Sequence, residues 1–347
     1  MLELFVNLDT ERRLLGERLL KGLEQLHPAL REDVTAALAV EGKLLHRPAS
    51  PLDGRWALLP FCLARELRAE SDPEYARGVG LAMEYIICAT DLFDDVMDDD
   101  VTPLLRRLGT ARALNVALAL VSLVQRALLS LARQGFPPAL LTRMLDTVQH
   151  SMLLASSGQQ QDLLAERRPV CELTREDCIE IAAAKAGALL SLACQLGALC
   201  ADVEERQLKQ CAEMGRLLGI AAQLDNDAHD LFHLLLPLGQ SSRNRKSDLA
   251  RGKKTLPVVL AAHSLREMRG IAAKEIDRAF REIGALAGEE RARAVGALRE
   301  GVLATWGVAL LYRERARDYL RVIEQGRPVS PVLLQVLGFD EPSENGR

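Results

Sequence analysis

Asp91-Leu92-Phe93-Asp94-Asp95-Val96-Met97-Asp98-Asp99-Asp100 places six carboxylates in ten residues, directly after the apolar run Leu81 to Thr90. The apolar run reads as a buried helix. Its continuation puts Asp94 and Asp98 one turn apart on one face. Like charges at that spacing repel, so the pattern calls for something positive between them. Hard cations with oxygen ligands fit, and Mg²⁺ takes one or two carboxylates and fills its shell with water and substrate phosphate. A single acidic run is also what a solvated loop after a core helix looks like. A second cluster weighs against that reading, because Asp225-Asn226-Asp227-Ala228-His229-Asp230 follows another apolar run far downstream.

The rest of the chain supplies the setting for these clusters. Its 347 residues are 48% hydrophobic and 27% charged, enough to bury a large core. Leu and Ala dominate, aromatics are 4%, and β-branched alternation is nearly absent, so an all-α protein is expected. A net charge of −4 and a pI near 6.0 offer no basic surface for nucleic acid. Met1 to Arg13 lacks an apolar leader segment, so secretion is not expected. No uninterrupted apolar run reaches the ~18 residues of a membrane span. The stretch Ile179 to Cys200 comes nearest but carries Glu180 and Lys185. Seven scattered cysteines without a CxxC spacing suggest reduced, buried thiols in a cytoplasmic protein.

No segment reads as an interdomain linker, so one helical domain over residues 1–347 is expected. It comprises N-terminal helices in 1–45, a motif-bearing core over about 54–261 and C-terminal helices over about 262–338. Leu14, Leu15, Leu19 and Leu20 mark the inner side of a helix over Glu11 to Leu26. Another helix over Trp56 to Ala69 is expected to start near Pro60. Thr174 reads as the N-cap of a helix that runs to about Cys200 with Lys185 in its middle. Gly239 to Gly252, with Arg243, Arg245 and Lys246, reads as a polar loop. Together the parts define a chemistry. Cations held by both acidic clusters would bind one diphosphate, with Lys and Arg neutralising the remaining charge. The apolar helices would enclose a central apolar cavity for a hydrocarbon tail. Metal and basic groups would stabilise departing diphosphate while the cavity holds a carbocation.

Several spaced motifs now resemble one family, the trans-isoprenyl diphosphate synthases or polyprenyl synthetases, over roughly Gly54 to Ala261. Asp94-Asp95-Val96-Met97-Asp98 matches the first Asp-rich motif, DDxxD, and Arg106-Arg107 resembles the basic pair after it. Gly158-Gln159-Gln160-Gln161-Asp162-Leu163 matches GQxxDL, and Lys185 sits where the family has its KT lysine. Gln223-Leu224-Asp225-Asn226-Asp227-Ala228-His229-Asp230 resembles QxxDDxxD, and Gly252-Lys253-Lys254-Thr255-Leu256-Pro257 is close to GKxTLP. The resemblance implies an isoprenoid-synthase helical bundle that forms a homodimer and acts on an allylic prenyl diphosphate. It implies Mg²⁺, three ions in the closed complex, held by Asp94, Asp95 and Asp98 and by Asn226, Asp227 and Asp230. It assigns catalysis to Asp94, Asp95, Asp98, Lys185, Gln223 and Asp227, and diphosphate binding to Arg106, Arg107, Lys185 and Lys253. Ala89, Thr90 and Phe93 would line the pocket, and the small Ala89 and Thr90 imply a long one.

Departures from the pattern fall on one half-site. Where the family has GGKRLRP, with a Lys and an Arg that bind isopentenyl diphosphate, this chain has Gly54-Arg55-Trp56-Ala57-Leu58-Leu59-Pro60. Trp56 and Leu59 take the two basic positions, Ile87 replaces a His or Gln, and Ala222 replaces an aromatic. The pattern is similar to the ComQ-like peptide prenyltransferases and to synthase-derived terpene cyclases. The leading expectation is prenyl transfer to an acceptor other than isopentenyl diphosphate, a peptide among them. The alternatives are a terpene cyclase, a chain-elongating synthase and a non-catalytic partner subunit.

Overall fold

The computed structural model describes residues 7–47, 53–232, 248–323 and 328–339, and among these no strand occurs. Arg243, Arg245 and Lys246 of the expected polar loop lie outside the described residues. The chain forms two compact units. One comprises the described residues up to His150, Leu192–Glu213 and the described residues from Arg317 onward; the other comprises Ser151–Ser191 and the described residues of Met214–Ala316.

In the first unit, α1 (Leu8–Leu23), α2 (Pro28–Ala37), α3 (Arg55–Leu67), α4 (Pro73–Met97) and α5 (Pro103–Arg133) are joined by the short α14 (Pro331–Leu337). Helix α4 is the axis, packed on α3 and α5. Local signals fix its start: Asp72 accepts from Glu74 N at 2.9 Å and Pro73 opens the first turn. Two glycines let its neighbours approach. A Cβ on Gly80 would lie 2.4 Å from Ala57 O of α3, and one on Gly78 would lie 2.5 Å from a Leu131 methyl of α5. Leu15, Leu19, Leu63, Met83, Ile86, Leu120 and Leu131 are essentially fully buried. Each such side chain contributes about 1.5–3 kcal/mol of burial free energy.

Two expectations are corrected here, and one helix is interrupted. Pro60 lies inside α3, which begins at Arg55 after the left-handed Gly54 (φ 68). Leu20 faces outward at 47% exposure, so the inner stripe of α1 is Leu15, Leu19 and Leu23. Gly109 (φ 71, ψ 158) interrupts α5 just after Arg106-Arg107.

The second unit contains α7 (Arg175–Ala182), α10 (Asp248–Arg251), α11 (Leu256–Arg269) and α12 (Ala273–Arg281). It also holds parts of α6 (Pro138–Ala165), α8 (Ala188–Cys200), α9 (Glu205–Asp230) and α13 (Gly288–Ile323). Its core is built from Val170, Leu173, Ile220, Leu224, Leu256, Val259, Leu298 and Val302. Thr174 opens α7 through a reciprocal capping box with Asp177, as its sequence position suggests.

One further expectation changes. A single charge breaks an apolar run without making a helix too polar to span. By length and composition, Pro103–Arg133, Arg175–Cys200 and Gly288–Arg321 are each long and apolar enough to cross a membrane.

Candidate active site

The first acidic cluster terminates its own helix. Asp94 and Asp95 lie in the last turns of α4, half-buried, and Asp98 is the C-cap, its N–H donating to Asp94 O at 2.9 Å. Asp99 takes the left-handed conformation (φ 52) that usually falls to glycine. Its N–H bonds Val96 O at 3.3 Å, and Asp100 N–H bonds Asp95 O at 2.9 Å, the paired bonds of a Schellman turn. The turn folds the chain back so that Asp98 and Asp100 are buried while Asp99 stays exposed. Asp100 is therefore buried although it lies just past the motif. Thr102 Oγ1 donates to Asp95 Oδ2 at 3.3 Å and also caps α5.

Around this turn, Ala89 is fully buried, whereas Thr90 and Phe93 are half-buried. Thr90 Oγ1 donates back to Ile86 O and Ile87 O, each at 3.1 Å. Arg106 and Arg107 are both exposed, and Arg107 pairs with Glu32 of α2 at 2.8 Å rather than with Asp99 or Asp100. Leu59 and Ile87 are each 3% exposed, so two of the positions that depart from the family motif belong to the core. Trp56 is half-buried. Arg55, the neighbouring cation, donates to Val336 O and Gln335 O at the end of α14.

Sequence reasoning missed a polar group one turn before the motif. Lys43, buried, donates to Asp91 Oδ2. Leu44 N donates to Glu84 Oε1 at 2.6 Å, and Glu84 is fully buried. Burial pushes the Glu84 carboxyl up to about 7, with Lys43 and the Leu44 N–H opposing. For Lys43, burial disfavours the charged form, but Asp91 outweighs it and the ammonium is raised above its ordinary value. Behind them, Asp53 accepts from Gly42 N and from His46 Nδ1, both at 2.8 Å.

In the second unit, the chain between α7 and α8 widens into a π-turn at Ala183–Gly187, with Lys185 at its centre. Such turns recur at functional sites. Lys185 is no surface lysine: its Nζ donates to Asp162 Oδ2 at 2.7 Å, and both side chains are at most 17% exposed. Glycines admit the close packing. A Cβ on Gly158 would lie 2.7 Å from Ala184 Cβ, and one on Gly219 would lie 2.3 Å from Ala186 O. Gln223, one turn beyond Gly219 on α9, donates to Asp227 Oδ1 at 2.9 Å.

Asn226 is exposed, Asp227 and Asp230 are half-buried, and Asp230 ends α9. Asp225 is taken up by Arg313 of α13 at 2.5 Å. His229 stacks on Phe232, which in turn packs on Trp306. Lys253 is buried rather than solvated, and its neighbour Lys254 pairs with Asp277 at 2.9 Å. Cys178 ties these groups together. Its Sγ faces Lys254 O at 3.5 Å, and burial pushes its thiol up, with the charges of Asp227, Asp177 and Asp162 adding to the effect.

Among the described residues, no three His, Cys, Asp or Glu side chains converge as a ready-made metal cage. The oxygen-only donors of both clusters nevertheless fit Mg²⁺, which binds through one or two carboxylates plus substrate phosphate.

The sequence profile of the polyprenyl synthetases matches residues 28–287. The chain belongs to the polyprenyl synthetase family. It is 31% identical over 252 residues to a geranylgeranyl diphosphate synthase of Mycobacterium tuberculosis, a match covering 72% of this chain and 69% of that enzyme. It is 28% identical over 175 residues to tryptophan prenyltransferase ComQ of Bacillus spizizenii, covering 50% of this chain and 54% of that protein. A solved geranylgeranyl pyrophosphate synthase shares the fold with a TM-score of 0.75 at 19% identity, over 95% of this chain and 98% of the other. As a polyprenyl synthetase this chain is a prenyltransferase, and its all-α architecture is that of the solved relatives.

Proposed function

We propose that the protein ionises an allylic prenyl diphosphate and transfers the prenyl group to an acceptor other than isopentenyl diphosphate. One observation carries the reading. Leu59 and Ile87 are buried apolar residues where the family motif supplies groups for a second diphosphate, and the nearby Arg55 is bound to backbone carbonyls. Holding a second diphosphate without cations is costly. The likeness to tryptophan prenyltransferase ComQ supports a peptide acceptor.

Asp94, Asp95 and Asp98, with Asn226, Asp227 and Asp230, would hold Mg²⁺. Bound there, the metal supplies charge neutralisation for the departing diphosphate. Lys185, fixed by Asp162, presents a positive charge from a rigid turn, and Gln223 orients the Asp227 carboxylate. Lys253 and the arginines Arg106 and Arg107 would contribute the remaining positive charge. The exposed Leu114, Leu118 and Leu129 on α5 support a homodimer.

Chain elongation is the second reading, favoured by the 31% identity to a geranylgeranyl diphosphate synthase. The deciding experiment incubates the protein with geranyl, farnesyl and geranylgeranyl diphosphate, each with and without isopentenyl diphosphate, and identifies the products. Diphosphate release without elongation is expected. Efficient elongation returns the protein to the chain-elongating synthases.

A further inference from the structure

The group at Lys43, Glu84 and Asp91 is not accounted for by diphosphate ionisation. Asp91 lies on α4 one turn before Asp94 and Asp95, so its carboxylate shares a face with the first acidic cluster. Its side chain is 58% exposed, while that of Lys43 is 6% exposed. Lys43 engages Oδ2 only, and among the described residues Oδ1 accepts no hydrogen bond. Glu84, wholly buried beside the same lysine, keeps one oxygen, Oε2, without any hydrogen-bond partner. This is a built arrangement. A buried cation fixes one edge of a carboxylate and leaves the other edge open toward solvent.

The charges say what this place accepts. Among the described residues, the cation held against Asp91 is Lys43, and Asp91 already uses it. Glu84 and Asp53 add further acids close behind. A diphosphate acceptor needs several unengaged cations and would here meet carboxylates instead. A neutral acceptor that must lose a proton meets the group it requires.

We propose that Asp91 is the base for an uncharged acceptor bearing an N–H or O–H group, and that Lys43 is the positioning residue that aims it. This assignment rests on the proposed transfer to an acceptor other than isopentenyl diphosphate. In the step, the acceptor heteroatom forms a bond to C1 of the prenyl group. The C1–O bond to diphosphate breaks, and the diphosphate leaves with that electron pair. The acceptor proton passes to Asp91 Oδ1, so atoms and charge balance without an oxidant or reductant.

The test uses the full chain with Mg²⁺, farnesyl diphosphate, and either indole or 4-methylphenol as the neutral probe. Diphosphate release and prenylated product are measured separately. Asp91→Asn is expected to lower product formation by about 100-fold or more, the usual share of a positioned base. Diphosphate release into water-quenched prenyl alcohol is expected to stay within a few fold of wild type. Asp91→Ala is expected to regain product formation, but not to change diphosphate release, when formate or acetate is added. Because Asp91→Asn leaves a buried lysine unpaired, the double variant Lys43→Met with Asp91→Asn removes both charges and serves as the folding control. Loss of release in parallel with product, or full product formation by both Asp91 variants, overturns the assignment while leaving the proposed transfer intact. A wild-type protein that elongates isopentenyl diphosphate and prenylates neither probe overturns the proposed transfer and this assignment with it.

Discussion

Glu84 shows how one buried acid links position to pH. In the unfolded chain it titrates near 4.5, and in the folded protein burial moves it to about 7. The folded state therefore binds this proton more tightly, and stability falls as pH rises from 4.5 through about 7, then levels off. Glu84→Gln removes the titration while keeping an oxygen for Leu44 N. Urea midpoints at pH 5 and pH 8 should show the variant losing less stability than wild type between them, by up to about 3 kcal/mol. Identical pH slopes would mean that Glu84 stays ionised when folded. Pocket length is also a matter of single residues. Ala89 is fully buried, so a phenylalanine there overpacks the core by about 1–3 kcal/mol. Thr90, half-buried, is the cleaner probe. Thr90→Phe should discriminate against geranylgeranyl diphosphate while leaving geranyl diphosphate usable, and unchanged chain-length preference in competition assays would place the tail elsewhere. The acids of the motif were legible in the sequence because they are neighbours at helical spacing. Lys43 and Glu84 were not, because their partners lie 48 and 40 residues away along the chain.

Helices and their interruptions decide where the charged groups stand. The sequence located the acid-bearing helices well, since long Leu- and Ala-rich stretches and caps such as Asp72 and Thr174 are local signals. A helix ending near Asp95, inside the motif, was legible too; the turn that ends it was not, because it needs Asp99 in a conformation glycine normally supplies. The π-turn at Lys185 was equally hidden. What permits it is contact between elements: Gly158 on α6 and Gly219 on α9 bring backbone against backbone at the turn. Gly219→Ala would drive a methyl to 2.3 Å from Ala186 O, where no flexible side chain can yield. The turn must shift and carry Lys185 with it. A loss of about 1–3 kcal/mol in unfolding free energy is expected, together with a clear drop in the rate of diphosphate release. Gly296→Ala on α13 is the comparison, since nothing lies within 4 Å of the new methyl. There the helix should gain about 0.5–1 kcal/mol with release unchanged. If both variants unfold at the wild-type midpoint, the close packing at the turn carries no energetic weight.

At the scale of the whole molecule, α4 and α9 each end in a cluster of acids. Four basic groups are paired with acids: Lys185 with Asp162, Lys254 with Asp277, Arg313 with Asp225 and Arg107 with Glu32. Diphosphate alone should bind weakly, because it adds negative charge beside clustered carboxylates. Mg²⁺ alone should also bind weakly, because Mg²⁺ favours sites completed by substrate phosphate. The two together neutralise each other and the acids, so their binding should be cooperative. A ligand that binds only the folded state raises stability by RT ln(1 + [L]/Kd), about 2.7 kcal/mol at a hundred times Kd. Calorimetric melting with a non-ionisable farnesyl thiolodiphosphate and Mg²⁺ should then raise the Tm by a few degrees, while each alone moves it little. Asp94→Ala and Asp227→Ala should each abolish the joint shift and slow diphosphate release by several orders of magnitude, since neutralisation of the leaving group is the central requirement. Either variant retaining both the joint shift and near-normal release would remove its cluster from the metal site.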